Sequence, residues 1–395
     1  MTNWHELESK YMMHTVKRVP VTLVKGEGAR VWDENGREYL DFVAGWAVNS
    51  LGHCHPVIAA AVAEQANTLI QASNQFYTIP QIQLAELLVK NSCLDKVFLS
   101  NSGAEANEGA VKLARRYGHR HLNGAYEVIS TFGSFHGRTL GMVAASGQPK
   151  FQKPYVPLPS GFVNVEYNSV QAIKSATTDK TCAVMLEPVQ GEGGVNLPAD
   201  DYLSQVRVWC DQKGILLILD EIQTGVGRIG TLFAYEQYGV EPDIMTLAKG
   251  LGGGIPIGAI LAKDRISVFV PGEHGSTFGG NPVACAAAYA ALKFVIDNDV
   301  VGNVKGVGQY LIDGLEGLRR KFRFITDVRG RGLLVAVEFD SEMAQSVLTA
   351  CLERGLLVNC VKPDAIRLMP PLIIGRPEVD EAIGILDKAL SGIIC

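Results

Sequence analysis

The chain lacks the features that mark several large protein classes. No apolar run approaches the roughly 18 residues that a membrane span needs, so no spanning helix is expected. Cysteines are few and unpatterned. The 395 residues hold eight, scattered from Cys54 to Cys395 with no C-x-x-C pair, which excludes a disulfide framework and a regular zinc motif. They read as reduced, mostly buried small hydrophobes. Excess positive charge is missing as well: a net charge of -5 gives no electrostatic reason for a nucleic acid or an anionic membrane as partner. The opening stretch MTNWHELESKYMMH carries early acids and no apolar core, unlike a secretory signal, so a cytoplasmic protein is expected. Repeats, low-complexity stretches and long linkers are absent too.

What is present is a globular composition, 47% hydrophobic and 19% charged, in a chain long enough for two domains. Residues 21–42 read as short strands around Glu34-Asn35-Gly36, a hairpin turn signal. A segment rich in small residues ends at Pro56, where helical periodicity begins. Across residues 95–262, apolar strands alternate with amphipathic helices, which indicates an α/β domain with a mostly parallel sheet. An alanine-rich helix starts near Asn281. From about residue 299, helix and strand intermix as in a smaller α+β domain. The expected division is 1–58 as an amino-terminal segment packing with the small domain, 59–298 as the large domain and 299–395 as the small one.

Ligands of parallel sheets bind beyond the carboxyl ends of the strands, so the polar residues at those ends carry the functional reading. The apolar run ILLILD ends on Asp220, and EPDIMTLAKGL places Lys249 after the next. An acid and a lysine on neighbouring strand ends can bracket a flat, nitrogen-containing cofactor. DKVFLS runs into Asn101, Ser102, Gly103 and Ala104 at a helix start, where free amides suit a phosphate; an ordinary Ser cap explains the same residues. Phe135, His136 and Arg138 follow another strand, offering an aromatic face and a guanidinium, though packing or a surface pair would use them equally. In AVMLEPVQ the apolar strand ends at Glu187, before Pro188, and Glu192 lies in the glycine-rich loop beyond it. His53 and His55 flank Cys54, but the i, i+2 spacing without a third nearby ligand reads as structural. Gly225, Gly227 and Gly230 spell G-x-G-x-x-G, yet neither the tight strand-to-helix turn nor a following βαβ unit is in place, so no dinucleotide site is expected.

A phosphate cup, a stacking aromatic, a carboxylate for a ring nitrogen and a lysine are what pyridoxal phosphate requires. The motifs SNSGAEAN, SFHGRT, EPVQGEGG, LDEIQTGVGR, LAKGLGGGIPIG, HGSTFGGNPVA and IRLMPPL together resemble the class III, fold type I aminotransferases over the whole chain, and within them the acetylornithine aminotransferase group. Phe135 followed by His136 suits that group better than the ornithine group, which tends to carry Trp-Gly there. The resemblance implies that Lys249 forms the Schiff base and Asp220 pairs with the pyridine nitrogen. It places Gln223 at the ring hydroxyl, Phe135 on the ring face, Ser102, Gly103 and Ala104 at the phosphate, and Glu221 and Ile222 with the other cofactor contacts. Thr277 would reach the phosphate of the neighbouring subunit, implying a homodimer with shared sites. Arg138, with Ser276 close by, would hold a substrate carboxylate. Glu192 would pair with Arg367 and release it for the α-carboxylate of glutamate. The implied reaction is ping-pong transfer of the δ-amine of N2-acetyl-L-ornithine to 2-oxoglutarate. Relatives acting on ornithine, succinylornithine, 4-aminobutyrate or a carrier-linked lysine share its chemistry. Trp46 stands where the resemblance implies a small or aliphatic residue, in a segment expected to line the substrate side chain.

Overall fold

The computed structural model describes residues 3–393; Cys395 lies outside them. Fifteen strands among the described residues form three sheets. In the first, β1 (Leu23–Glu27), β2 (Arg30–Asp33) and β3 (Glu38–Asp41) run antiparallel. The β2–β3 turn follows from its sequence: Asp33 Oδ1 accepts the backbone N–H groups of Asn35 and Arg37, each at 2.9 Å, and Gly36 takes φ 80°.

The central sheet has seven strands: β4 (Lys96–Ser100), β5 (Glu127–Thr131), β6 (Phe162–Val165), β7 (Thr181–Leu186), β8 (Leu216–Asp220), β9 (Ile244–Leu247) and β10 (Gly258–Ala262). Their spatial order is β4-β10-β9-β8-β7-β5-β6. All pairings from β9 to β6 are parallel, while β10 runs antiparallel to both β4 and β9. Strands β7, β8, β9 and β10 are buried along their whole length, as expected of a sheet covered on both faces. Alternate residues feed two separate cores. Met185, Leu216, Ile218, Ile244 and Ile260 pack with helix Gly103–His121, whereas Leu186, Leu217, Leu219, Met245 and Leu261 pack on the opposite side. The two-residue period of the strand thus becomes two layers. On that second side lies helix Pro282–Asp297, capped by Asn281 Oδ1 on the Ala284 N–H at 2.9 Å. Its Ala284, Ala287, Ala288 and Ala291 are buried, and it packs against helices Pro56–Thr68 and Ile79–Lys90.

The third sheet contains β11 (Ile325–Arg331), β12 (Leu334–Phe339), β14 (Asn359–Lys362) and β15 (Ala365–Leu368), in the order β11-β12-β15-β14. The two-residue strand β13 (Leu356–Leu357) leaves it to pair in parallel with β3, so the first sheet is completed from far along the chain. Helices Val300–Lys321 and Arg376–Ile393 pack beside each other. Sequence periodicity does not predict the short helices Trp4–Tyr11 and Val170–Ala176 or the four-residue strand β6, all too short for a period to register.

Candidate active site

The carboxyl ends of β4, β5, β7, β8 and β9 open on one cavity of about 440 Å³. Lys249 follows β9 as the first residue of a single 3-10 turn, with φ 24°. Non-glycine residues held in that region cost about 1–3 kcal/mol and concentrate at functional sites. Loss of water lowers the pKa of its amine; Glu192 and Asp220 pull the other way, Arg367 does not, and the net shift is downward. More of the amine is therefore unprotonated near neutral pH than on a free lysine.

Asp220 ends β8 and is 3% exposed. Its Oδ2 accepts from His136 Nδ1 and from Asn107 Nδ2, both at 2.7 Å, and its Oδ1 accepts the Ile222 N–H at 3.1 Å. Asn107 also donates to the His136 carbonyl at 2.8 Å and accepts from Thr246 Oγ1 at 2.7 Å. Burial disfavours a charged His136, but the bond and attraction of Asp220 outweigh it and raise its pKa. Beside it Glu187 accepts the Phe135 and Gly191 N–H groups at 2.9 and 3.1 Å. Burial, aided by the charge of Asp220 and opposed by His136, pushes Glu187 up to about 7.

On the β4 side, Ser102 is extended and its hydroxyl accepts the Glu105 N–H at 3.2 Å, capping the 19-residue helix Gly103–His121. Ser102, Gly103 and Ala104 line the cavity with that helix start, whose unpaired amides and dipole favour an anion. A Cβ on Gly103 would come within 2.8 Å of Ile222 Cδ1, so the close approach of cradle and β8 loop depends on glycine. Phe135 meets Phe151 edge-on at 5.7 Å. The exposed Arg138 guanidinium lies 3.9 Å from the Phe151 ring centre and 5.2 Å from that of Phe135.

At the far end Glu192 Oε1 accepts from Arg367 Nη2 at 2.7 Å and from Gln223 Nε2 at 3.3 Å. Burial opposes its charge, yet Arg367 and, after it, Lys249 bring the pKa of Glu192 down to about 2. Arg367 itself is fully buried behind Glu192. Both polar ends of the Gln223 amide are engaged there, since Oε1 accepts from Arg367 Nη1 at 3.0 Å.

Several expected residues sit elsewhere. The Glu221 carboxylate does not line the cavity: it accepts the Ala234 and Tyr235 N–H groups, at 2.5 and 2.8 Å, on the other side of the strand end. Adjacent side chains of an extended segment point oppositely, so Asp220 and Glu221 cannot both face the cleft. Ser276 lies at the rim, its Oγ accepting from Asn101 Nδ2 at 3.0 Å. Thr277 is exposed and its carbonyl accepts from Gln71. Val48 lines the cavity and Trp46 does not; Trp46 is half-exposed within a run of four positive-φ residues, 44–47. His53 bonds Asp41 at 2.7 Å, and His55 packs edge-on against Phe294. Gly225, Gly227 and Gly230 form successive turns that open no helix. Sequence reading missed Asn107, Thr246 and Asn359. Asn107 had a signal: it is a polar residue on the alanine-rich buried face of its helix.

A lysine with a lowered pKa and a carboxylate locked as an acceptor, lining one cavity, suit a protein that moves nitrogen between carbon skeletons. The chain belongs to the class-III aminotransferase family, whose model matches residues 11–390, and members of that family work with pyridoxal phosphate. It is 52% identical to an acetylornithine aminotransferase of Caldanaerobacter subterraneus, over 98% of both chains. Among solved structures, an acetylornithine aminotransferase from Elizabethkingia anophelis superposes with a TM-score of 0.88 at 36% identity, over 98% of both chains. An ornithine aminotransferase from Toxoplasma gondii, described with partial occupancy of pyridoxal phosphate at its active site, gives 0.94 at 36% identity, over 99% of this chain and 94% of that one.

Proposed function

We propose that this aminotransferase passes the δ-amine of N2-acetyl-L-ornithine to 2-oxoglutarate, yielding N-acetylglutamate 5-semialdehyde and glutamate for arginine biosynthesis. The observation that carries the reading is that Glu192, which lines the cavity with Arg138 and Lys249, is paired with Arg367 buried directly behind it. One pocket must serve a donor whose reacting amine is far from its carboxylate, then an acceptor with two carboxylates. Arg138, exposed and over the Phe135 and Phe151 rings, would take the carboxylate common to both. Arg367 would be neutralised by Glu192 while the donor is bound, and freed for the second carboxylate.

The cavity fits pyridoxal phosphate through the chemistry of its donor set: a helix start closed tightly against Ile222 for the phosphate, a fixed carboxylate, and a lysine with a depressed pKa. When bound, that cofactor supplies an aldehyde carbon for amine exchange and a pyridinium ring that accepts electron density. Ser102, Gly103 and Ala104 would hold its phosphate, Phe135 would cover a ring face, and Ile222 and Gln223 would border the ring. Asp220 Oδ1, with one lone pair taken by the Ile222 N–H, would keep a proton on the ring nitrogen. Lys249 would act as nucleophile and then carry the proton that moves between the reacting carbons.

The homodimer reading rests on one patch. Phe76, Tyr77, Ile79 and Phe278 are 66, 95, 72 and 63% exposed, and Asn74 ties their segments together by donating to the Ser276 and Gly279 carbonyls. Such an apolar surface suits a second copy, whose phosphate site Thr277 would reach. The three sheets support a division at 1–58, 59–298 and 299–395. Buried, unpaired Cys182, Cys210, Cys285 and Cys351 fit a reducing, cytoplasmic setting.

The test is a half-reaction screen on the cofactor-loaded enzyme, following the loss of bound-cofactor absorbance. Acetylornithine should react fastest; faster reaction with ornithine, succinylornithine, 4-aminobutyrate or a carrier-linked lysine would replace it as donor.

A further inference from the structure

Arg367 is held by more than the carboxylate that neutralises it. Its Nη2 donates to Asn359 Oδ1 at 2.8 Å as well as to Glu192 Oε1 at 2.7 Å, and its Nη1 donates to Gln223 Oε1 at 3.0 Å. These acceptors come from different parts of the molecule. Asn359 faces Arg367 across the β14–β15 pairing, as its direct partner in register. Glu192 comes from a turn at residues 191–195, and its side chain is 32% exposed while that of Arg367 is fully buried. A Cβ on Gly191 would stand 1.6 Å from Gln223 Oε1, so glycine there lets the turn approach Gln223.

The division of labour is one of charge. A single carboxylate neutralises the guanidinium, and it sits on the turn. The acceptor supplied by the sheet is an uncharged amide. A neutral acceptor orients a guanidinium without cancelling its charge, whereas a carboxylate at the same place would cancel it permanently. Arg367 Nε is buried with no partner among the described residues, so losing Asn359 as well as Glu192 would leave only Gln223 to orient the fork.

We infer that Asn359 is a positioning residue that holds the Arg367 fork in place behind Glu192, so that it faces the space Glu192 vacates on swinging away, and that its neutrality is what leaves Arg367 able to bind the second carboxylate of the amino acceptor. The inference rests on the Glu192–Arg367 switch proposed above.

The test compares Asn359→Asp, Asn359→Ala and Asn359→Ser in the cofactor-loaded enzyme. Glutarate, a dicarboxylate that cannot react, is titrated by calorimetry, and the two half-reactions are timed separately. Asn359→Asp should weaken glutarate by about tenfold or more, the scale of one charged hydrogen bond. It should raise the KM for 2-oxoglutarate far more than that for acetylornithine. Asn359→Ala should weaken glutarate several-fold, and Asn359→Ser, which keeps an oxygen acceptor, should recover part of the loss. Glutarate affinity within twofold of the parent for both Asn359→Asp and Asn359→Ala would overturn the inference, as would equal losses in both half-reactions. Arg367→Ala separates the two claims. If it loses glutarate while the Asn359 variants keep it, the switch stands and the role of Asn359 falls. If it binds glutarate normally, the switch reading fails first.

Discussion

Two carboxylates at opposite ends of one cavity are held in opposite ways. Asp220 closes a buried strand and is fixed by His136, Asn107 and the Ile222 N–H. Glu192 rides a turn, partly exposed, bonded to one residue of the large sheet's loops and one of the small sheet. Both accept hydrogen bonds from side-chain donors. The difference is mobility. A group on a buried strand end, held by buried side chains, has no second position, while a group on a partly exposed turn can trade its bonds for others. Chemistry that must be identical for every substrate sits at the first end, and recognition that must change between substrates sits at the second.

Substitutions at the two ends should therefore fail differently. Lys249→Ala should have the largest effect, cutting turnover by more than about 10² with both half-reactions lost together. In the parent enzyme borohydride should fix cofactor mass to the peptide spanning Lys249, and label at another lysine instead would break the assignment. Asp220→Asn comes next: cofactor retained by mass, and turnover down on the order of 10²–10³ for all substrates alike, as when a preorganised electrostatic partner is removed. Unequal losses for donor and acceptor would blur the two ends. Glu192→Gln should be milder and one-sided, tightening glutarate by several-fold in calorimetry and slowing the donor half-reaction, since Arg367 would no longer be neutralised.

The smallest effect concerns the carboxylate beside Asp220. Burial pushes Glu221 up to about 8, above its usual 4.5, although the Ala234 and Tyr235 amides oppose the shift. Its favourable contribution to stability is complete below about pH 4.5 and declines as pH rises toward 8. The Tm should fall by a few degrees across that window, and Glu221→Gln should flatten the slope. An unchanged slope in the variant would remove Glu221 as its source.

The end of the cavity that carries chemistry was also the end most legible in the sequence. Asp220 and Lys249 each follow an apolar run, and in a parallel sheet the end of a run is the edge where ligands bind. The alternation that separates Asp220 from Glu221 is a simple period, so the placement of Glu221 could have been read there too. Asn107 was within reach, as a polar residue on a buried helical face. Asn359 was not, because its partner is defined by the pairing of β14 with β15. Trp46 was expected beside the substrate, but the left-handed run at residues 44–47 turns the segment so that Val48 lines the wall. Nothing in a run of mostly non-glycine residues announces such a turn.

The reversed strand β10 has an effect of its own. Were it parallel to β9, the chain leaving Lys249 would have to cross to the far edge of the sheet before starting it, which takes a dozen or more residues and usually a helix. Running the other way, β10 begins on the edge where β9 ends, with Gly258 opposite Ser100 and Ala259 opposite Leu247. The short return between them stays at the mouth of the cavity, and Gly254, Ile255, Pro256 and Ile257 line it. That segment is an adjustable wall. Lengthening or shortening it would reshape the space available to a substrate while leaving all seven strands paired.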